Sequence, residues 1–348
     1  MTPYRPLAAI VLLFCLALPG SGCGGRQKQD GDRGRIRVGL VFDIGGKGDK
    51  SFNDGAYQGL VRAGADFGID YQEFEPGQDA DREAGLRKLA ASEYDLVIGI
   101  GFLFTEVITR VAIDFPDVRF ACVDYDLGTD GRVPPNLVAI RFREPEGACL
   151  VGALAALSTE TGTIGFIGGM DIALIRGFEA GYRDGAARVN FNVKVLSAYA
   201  GVTPKAFDDP VRGKELALRQ IADGADVIFQ ASGSTGLGVL DAARERAVKV
   251  IWVDSVPFDR QGRFLAPGTI LTTMIKRVDK VIYRIVEDLA QGKFQGGAVH
   301  FGLSDGGIDY QYDEHNRQLI PDDVRRRVEE LKLEIVAGKV DIRGPTDR

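Results

Sequence analysis

The stretch Val38-Gly-Leu-Val-Phe-Asp-Ile-Gly-Gly-Lys-Gly-Asp-Lys-Ser-Phe-Asn53 decides the fold. Its apolar start predicts a strand that ends on a carboxylate, Asp43. A glycine-rich turn follows and closes on Ser51, a residue suited to cap a helix, with the aromatic Phe52 at the first helical position. Strand end, turn and helix start meet where open α/β sheets place their ligands. An acid and an aromatic at that point, in place of a bare phosphate cradle, suit a neutral, planar, hydrogen-bonding ligand.

The same alternation continues outward. Apolar runs predict strands at 36–43, 70–74, 96–100, 119–123 and 137–142, and spacings of three and four predict helices at 52–67, 80–92 and 104–115. The pattern then restarts, with strands at 163–167, 193–200, 226–229, 249–253 and 270–274. Helices are expected at 173–187, 211–223, 237–247, 278–290 and 322–337. Apolar strands separated by helices imply parallel sheets buried on both faces. Two successive series predict an α/β protein of two doubly wound lobes, although no internal sequence repeat is evident.

Composition narrows the function. The 348 residues exceed a typical single domain, and 45% apolar content suits a well-packed globular protein. A net charge of −6 without any polybasic tract argues against a nucleic-acid partner. Only two histidines, His300 and His315, are present, so histidine-based catalysis or metal binding is disfavoured. No CxxC pair marks a zinc site, and no cofactor is indicated. Cys122 and Cys149 both lie in apolar runs and read as buried small hydrophobes, with a disulfide between them as the alternative.

Phosphate and hydrolase motifs fail. A P-loop requires GxxxxGK[ST], but the turn ends Gly48-Asp-Lys-Ser51, and Asp43 and Asp49 would both repel a phosphate. A second glycine cluster, Ala231-Ser-Gly-Ser-Thr-Gly-Leu-Gly238, follows a strand and opens a helix, yet neither cluster fits GxGxxG. No GxSxG precedes a suitable histidine, and no catalytic constellation rises above background, so an enzyme is not expected. Carboxylates do recur at strand ends: Asp43, Asp124 and Asp254. One such Asp is usually a turn former. Three on different strands favour a shared ligand cleft.

The N-terminus reads as an export signal over 1–22, with Arg5 as its positive region and an apolar core from Leu7 to Leu18 too short to span a bilayer. Gly20-Ser-Gly22 leads into Cys23, which resembles the lipidated cysteine of a bacterial lipoprotein, although Leu18 stands five residues before Cys23 where three is usual. An ordinary cleaved signal is the alternative. Residues 23–35 are polar and glycine-rich, as in a flexible tether.

Several motifs in order resemble the basic membrane protein, or PnrA-like, family: purine nucleoside receptors of bacterial ABC importers. They are Asp43-Ile-Gly-Gly-x-x-Asp-Lys-Ser-Phe-Asn53, Phe142-Arg-Glu-Pro-Glu-Gly147, Ile167-Gly-Gly-Met170 and Phe207-Asp-Asp-Pro-x-x-Gly213. Gly233-Ser-Thr-Gly-Leu-Gly238, Val253-Asp254 and Thr272-Thr-Met-Ile-Lys276 complete the set. The resemblance implies a type I periplasmic binding protein, with two Rossmann-like lobes joined by hinge strands. Lobe 1 would comprise 36–142 plus 255–292, and lobe 2 would comprise 143–254 plus 293–348. The chain would cross near 142–144, 254–256 and 293–300.

The resemblance also implies site roles. Phe52 and Phe207 would sandwich the purine, one from each lobe. Asp43 and Asp124 would accept from the base edge, and Asp254 and Lys276 would hold ribose hydroxyls. Asn53 would add a hydrogen bond, and Gly233 and Gly236 would let backbone amides approach the sugar. Taken singly, these residues read more plainly as helix caps, turn formers and packed anchors. Cys149 stands where relatives often carry a bulkier aromatic. The implied partners are a nucleoside, an ABC permease with its ATPase, and the membrane through a lipid anchor on Cys23. A sensor of the same fold, signalling to a membrane partner, and a receptor for a non-nucleoside small molecule are the competing readings.

Overall fold

The computed structural model describes Met1, residues 34–129 and residues 131–342. The expected signal peptide and Cys23 lie outside the described residues. The first βα series comprises β1 (Arg37–Val41), α1 (Phe52–Phe67), β2 (Asp70–Phe74), α2 (Asp79–Ala91) and β3 (Leu96–Ile100). It continues through α3 (Thr105–Asp114), β4 (Arg119–Val123) and β5 (Leu137–Phe142). Next come α4 (Glu144–Ser158), β6 (Thr163–Met170), α5 (Ala173–Val189), β7 (Lys194–Gly201), α6 (Pro210–Ala222) and β8 (Val227–Ala231). Then follow α7 (Thr235–Arg246), β9 (Lys249–Asp254), β10 (Ile270–Lys276), α8 (Val278–Ala290), β11 (Gly297–Phe301), β12 (Ile308–Tyr310) and α9 (Asp322–Val336).

Two six-stranded sheets result, ordered β11-β5-β4-β3-β1-β2 and β12-β10-β9-β8-β6-β7. Without the added edge strands β11 and β12, each follows the same doubly wound path, the first strand standing between the second and the third. The repeat is thus one of topology, invisible in residue identities. All pairs are parallel except β10 with β12. The inner strands of both sheets are buried on both faces, which is why they read as continuous apolar runs, whereas the edge strands β2, β7 and β11 are partly exposed.

Strand pairing corrects the expected lobe boundaries. β10 lies parallel to β9 and antiparallel to β12, so the second lobe continues to Lys276 and no passage occurs at 254–256. The chain instead loops over 255–269 back to the start of β10 without a helix, as it does among the described residues between β4 and β5. It returns to the first lobe after Lys276, where α8 packs on α1 and β11 pairs with β5 from Gly297↔Val138 to Phe301↔Phe142. The last passage follows Phe301 and leads to β12 and α9. Residues 36–142 and 277–301 therefore build one lobe, and 143–276 and 302–342 the other.

Cys122 lies in β4 and Cys149 in α4; both are free and buried, which rules out the disulfide alternative. Helix α4 has no counterpart among the expected helices. Twelve of its fifteen residues are buried, so it carries no apolar stripe for periodicity to reveal. Its partner is α5, and the two meet backbone to backbone. A methyl at Gly185 would overlap the Cys149 carbonyl, and one at Gly181 the Pro145 carbonyl. Gly185→Ala should therefore destabilise the protein by about 1–3 kcal/mol through overpacking, although helix propensity alone would favour Ala by about 1 kcal/mol. Chemical denaturation measures the sign; a stabilised variant would show that α4 and α5 are not in such close contact.

Candidate functional site

The carboxyl ends of the strands in both sheets converge on one cleft, with about 590 Å³ of atom-free space including its mouth. Of the expected site residues, Asp43, Phe52, Asn53, Asp124, Phe207, Gly233, Asp254 and Lys276 all line it. Gly236 does not. It lies within α7, where a side chain would collide with the Gln230 amide, so its smallness serves packing.

The opening turn is organised by Asp49, not by Ser51. One Asp49 oxygen accepts from the backbone N–H of Ser51 (2.9 Å) and Asp54 (3.1 Å), and the other accepts from that of Asn53 (2.8 Å). Ser51 holds the cap position but makes no side-chain cap bond. Its hydroxyl reaches across the cleft instead, 2.7 Å from Asp254 Oδ2 and 3.1 Å from the Val253 carbonyl. Trp252 Nε1 also crosses, donating to the Lys50 carbonyl at 2.9 Å. Asn53 is 1% exposed, and its amide is spent within the turn. Oδ1 accepts from Asp43 N at 3.0 Å, and Nδ2 donates to Asp49 Oδ2 at 3.1 Å and to the Ile44 carbonyl at 3.3 Å. Its evident work is to fix the Asp43 backbone.

Lys276 is the electrostatic centre. Its ammonium lies 2.7 Å from both oxygens of Asp124 and 3.0 Å from Glu144 Oε1, under three rings: Phe142 (5.0 Å to the centroid), Phe52 (5.1 Å) and Phe178 (5.8 Å). Burial pulls its pKa down, but Asp124, Glu144 and Asp254 together outweigh that and hold it above the ordinary lysine range. Asp124 and Asp254 occupy equivalent places after β4 and at the end of β9, and both adopt left-handed backbone (φ 58° and 65°). Such geometry, costing about 1–3 kcal/mol for a non-glycine residue, turns each carboxylate into the cleft.

Two further aromatics shape the cavity. Phe207 ends a short turn, Pro204–Phe207, which Thr235 Oγ1 anchors by donating to the Ala206 carbonyl at 2.8 Å. The Phe207 ring meets Phe102 of the first lobe edge-on, with centroids 6.2 Å apart. Phe102, Phe178 and Glu144 were not among the expected residues. Glu144 stands within the quoted motif Phe142-Arg-Glu-Pro-Glu-Gly147, and a charge at the start of an otherwise apolar segment was the available signal.

Burial also moves the carboxyls. Asp43 is half-buried and lines the cleft, and desolvation raises its pKa to about 7 against the Ile44 N–H and the Arg82 charge. Desolvation likewise raises Asp49 and Asp254 to about 6, and it raises Glu144 despite the Lys276 charge. Between their ordinary values and these raised ones, the folded protein holds protons the unfolded chain has released, so stability falls as pH rises through that window. The thermal midpoint of the ligand-free protein should thus be lower at about pH 7.5 than at about pH 5.5, and Asp43→Asn should shrink the difference. Melting curves across that range decide it; a midpoint that rises with pH would contradict the buried placement.

No group of three metal-ligating side chains is placed to hold a metal among the described residues, and no helix among them is long and apolar enough to cross a membrane. A model of the family described as ABC transporter substrate-binding protein PnrA-like matches residues 36–343. An uncharacterized lipoprotein of Pyrococcus horikoshii is 35% identical over 87% of this chain and 76% of its own. The ABC transporter nucleoside-binding protein BmpA of Lactococcus lactis is 31% identical over 95% of this chain and 94% of its own. A solved solute-binding protein of an ABC transporter system from Aeropyrum pernix superposes with a TM-score of 0.80 at 31% identity, covering 90% of this chain and 94% of that one. The two-lobed architecture of periplasmic solute-binding proteins is thereby confirmed.

Proposed function

The chain belongs to the PnrA-like family of ABC transporter substrate-binding proteins, and on that premise we propose that it is a lipid-anchored receptor for a purine nucleoside. The observation that carries this reading is the pairing of Phe52 and Phe207, from opposite lobes, on the walls of one cavity whose floor carries strand-end carboxylates. Flat rings suit a flat heterocycle and demand little direction. Direction comes from the polar groups. With a pKa near 7, the Asp43 carboxyl presents either two acceptors or a donor beside an acceptor, the complement of a purine edge. Asp254 and Lys276 supply an acceptor and a donor for ribose hydroxyls.

Asp43, Asp49, Asp124 and Asp254 line the cavity with one lysine, Lys276, and Glu144 pairs with that lysine. That balance disfavours a phosphorylated ligand. Closure around a nucleoside requires no bond making, and the permease receives the ligand when the lobes part. The naming of a relative as a lipoprotein supports acylation at Cys23. Mass spectrometry of the mature N-terminus tests the anchor separately.

Isothermal titration with purine and pyrimidine nucleosides tests the ligand. Purine nucleosides should bind, and Phe52→Ala should weaken them roughly 10- to 100-fold, because one stacked base is worth about 1–3 kcal/mol. Binding of another class of small molecule and of no nucleoside would overturn the reading. Full affinity in the Phe52→Ala protein would refute the stacking role.

A further inference from the structure

Every donor on the Lys276 ammonium faces a carboxylate: both oxygens of Asp124 and Oε1 of Glu144. These two partners stand on different lobes. Asp124 follows β4 in the first sheet, whereas Glu144 opens α4, which packs on α5, α9, β10 and β12 of the second. Lys276 itself ends β10. Its contact with Glu144 is internal to one lobe, and its contact with Asp124 crosses the cleft. Parting the lobes breaks the second and leaves the first.

Glu144 is 5% exposed, and its Oε1 has no hydrogen-bond partner among the described residues, so the 3.0 Å approach of the Lys276 ammonium is an ion pair. Its position in the first turn of α4 favours a negative charge. Asp254, on the same lobe, attracts the ammonium from farther away and is engaged by Ser51. We infer that Glu144 is a positioning residue that keeps the Lys276 ammonium in the second lobe, aimed into the cleft, while Asp124 gives way to the ligand. This rests on the nucleoside reading, in which Lys276 donates to a sugar hydroxyl. To reach that hydroxyl, the ammonium must withdraw a donor from Asp124, and the freed Asp124 oxygen then meets a ring N–H. Glu144 is the anchor about which the exchange turns.

Glu144→Gln keeps the size of the side chain and removes its charge. Titrated with a purine nucleoside, it should bind about tenfold more weakly than wild type, the scale of one charge-assisted hydrogen bond. Affinity for the dideoxy analogue, which lacks the sugar hydroxyls, should be unchanged, and Glu144→Asp should recover part of the loss. An equal loss for both ligands, or no loss for either, overturns the inference. A second readout needs no ligand: in protein carrying isotope-labelled lysine, the ammonium protons of Lys276 should exchange slowly by NMR in wild type and faster in Glu144→Gln. Unchanged exchange overturns the anchoring role. Accelerated exchange in a protein that binds no nucleoside would refute the proposed ligand while upholding Glu144 as the anchor.

Discussion

A single buried ammonium holds the two lobes in register. Lys276 is 3% exposed, and its charge is tolerable only because Asp124 and Glu144 meet it at hydrogen-bonding distance. Ion pairs of this kind add little net stability, since desolvation offsets most of the attraction; removing one partner, however, typically costs about 3–5 kcal/mol. The arrangement therefore acts less as glue than as a constraint. It specifies where β10 must end, how closely β4 must approach it, and which side chains can line the space between. The crossing contacts of Ser51 with Asp254 and of Trp252 with Lys50 extend the same closure along the cleft.

The doubled topology explains how the cleft acquires polar groups from both lobes. In each lobe one crossover, between β4 and β5 in the first and between β9 and β10 in the second, lacks a helix among the described residues, and each begins beside a left-handed aspartate. The fold thus offers two equivalent carboxylates facing the cleft, and the second lobe adds Lys276, which pairs with Asp124 and is attracted by Asp254 from farther away. Apolar packing supplies the rest. The close contact of α4 with α5 through Gly181 and Gly185 fixes the start of α4 against α5, and Glu144 from the one and Phe178 from the other meet the ammonium.

Much of this was legible in residue patterns, and the exceptions have physical causes. Strand ends and the helix after Phe52 were readable because buried parallel strands leave long apolar runs and α1 is amphipathic. Helix α4 was not, because burial on all sides erases periodicity. The hinge was misplaced because β10 is an apolar strand suited to either sheet, and only its pairing with β9 assigns it. Ser51 fits a cap by residue type, yet Asp49 takes that role and releases the serine hydroxyl to the opposite lobe. Gly236 shares a motif with Gly233 but lies one turn farther along, inside the helix. Glu144 went unnoticed because its partner is 132 positions distant in the chain, a separation that only the assembled second lobe closes.

The central claim is that a ligand takes the place of the contact between Lys276 and Asp124 while Glu144 keeps hold of the lysine. A crystal structure of the purine nucleoside complex measures this directly. The account predicts the base between Phe52 and Phe207, the Lys276 ammonium within hydrogen-bond reach of a sugar hydroxyl and still beside Glu144, and Asp124 turned to the base. A nucleoside bound with the contact between Lys276 and Asp124 unbroken, or held away from the two rings, would contradict it.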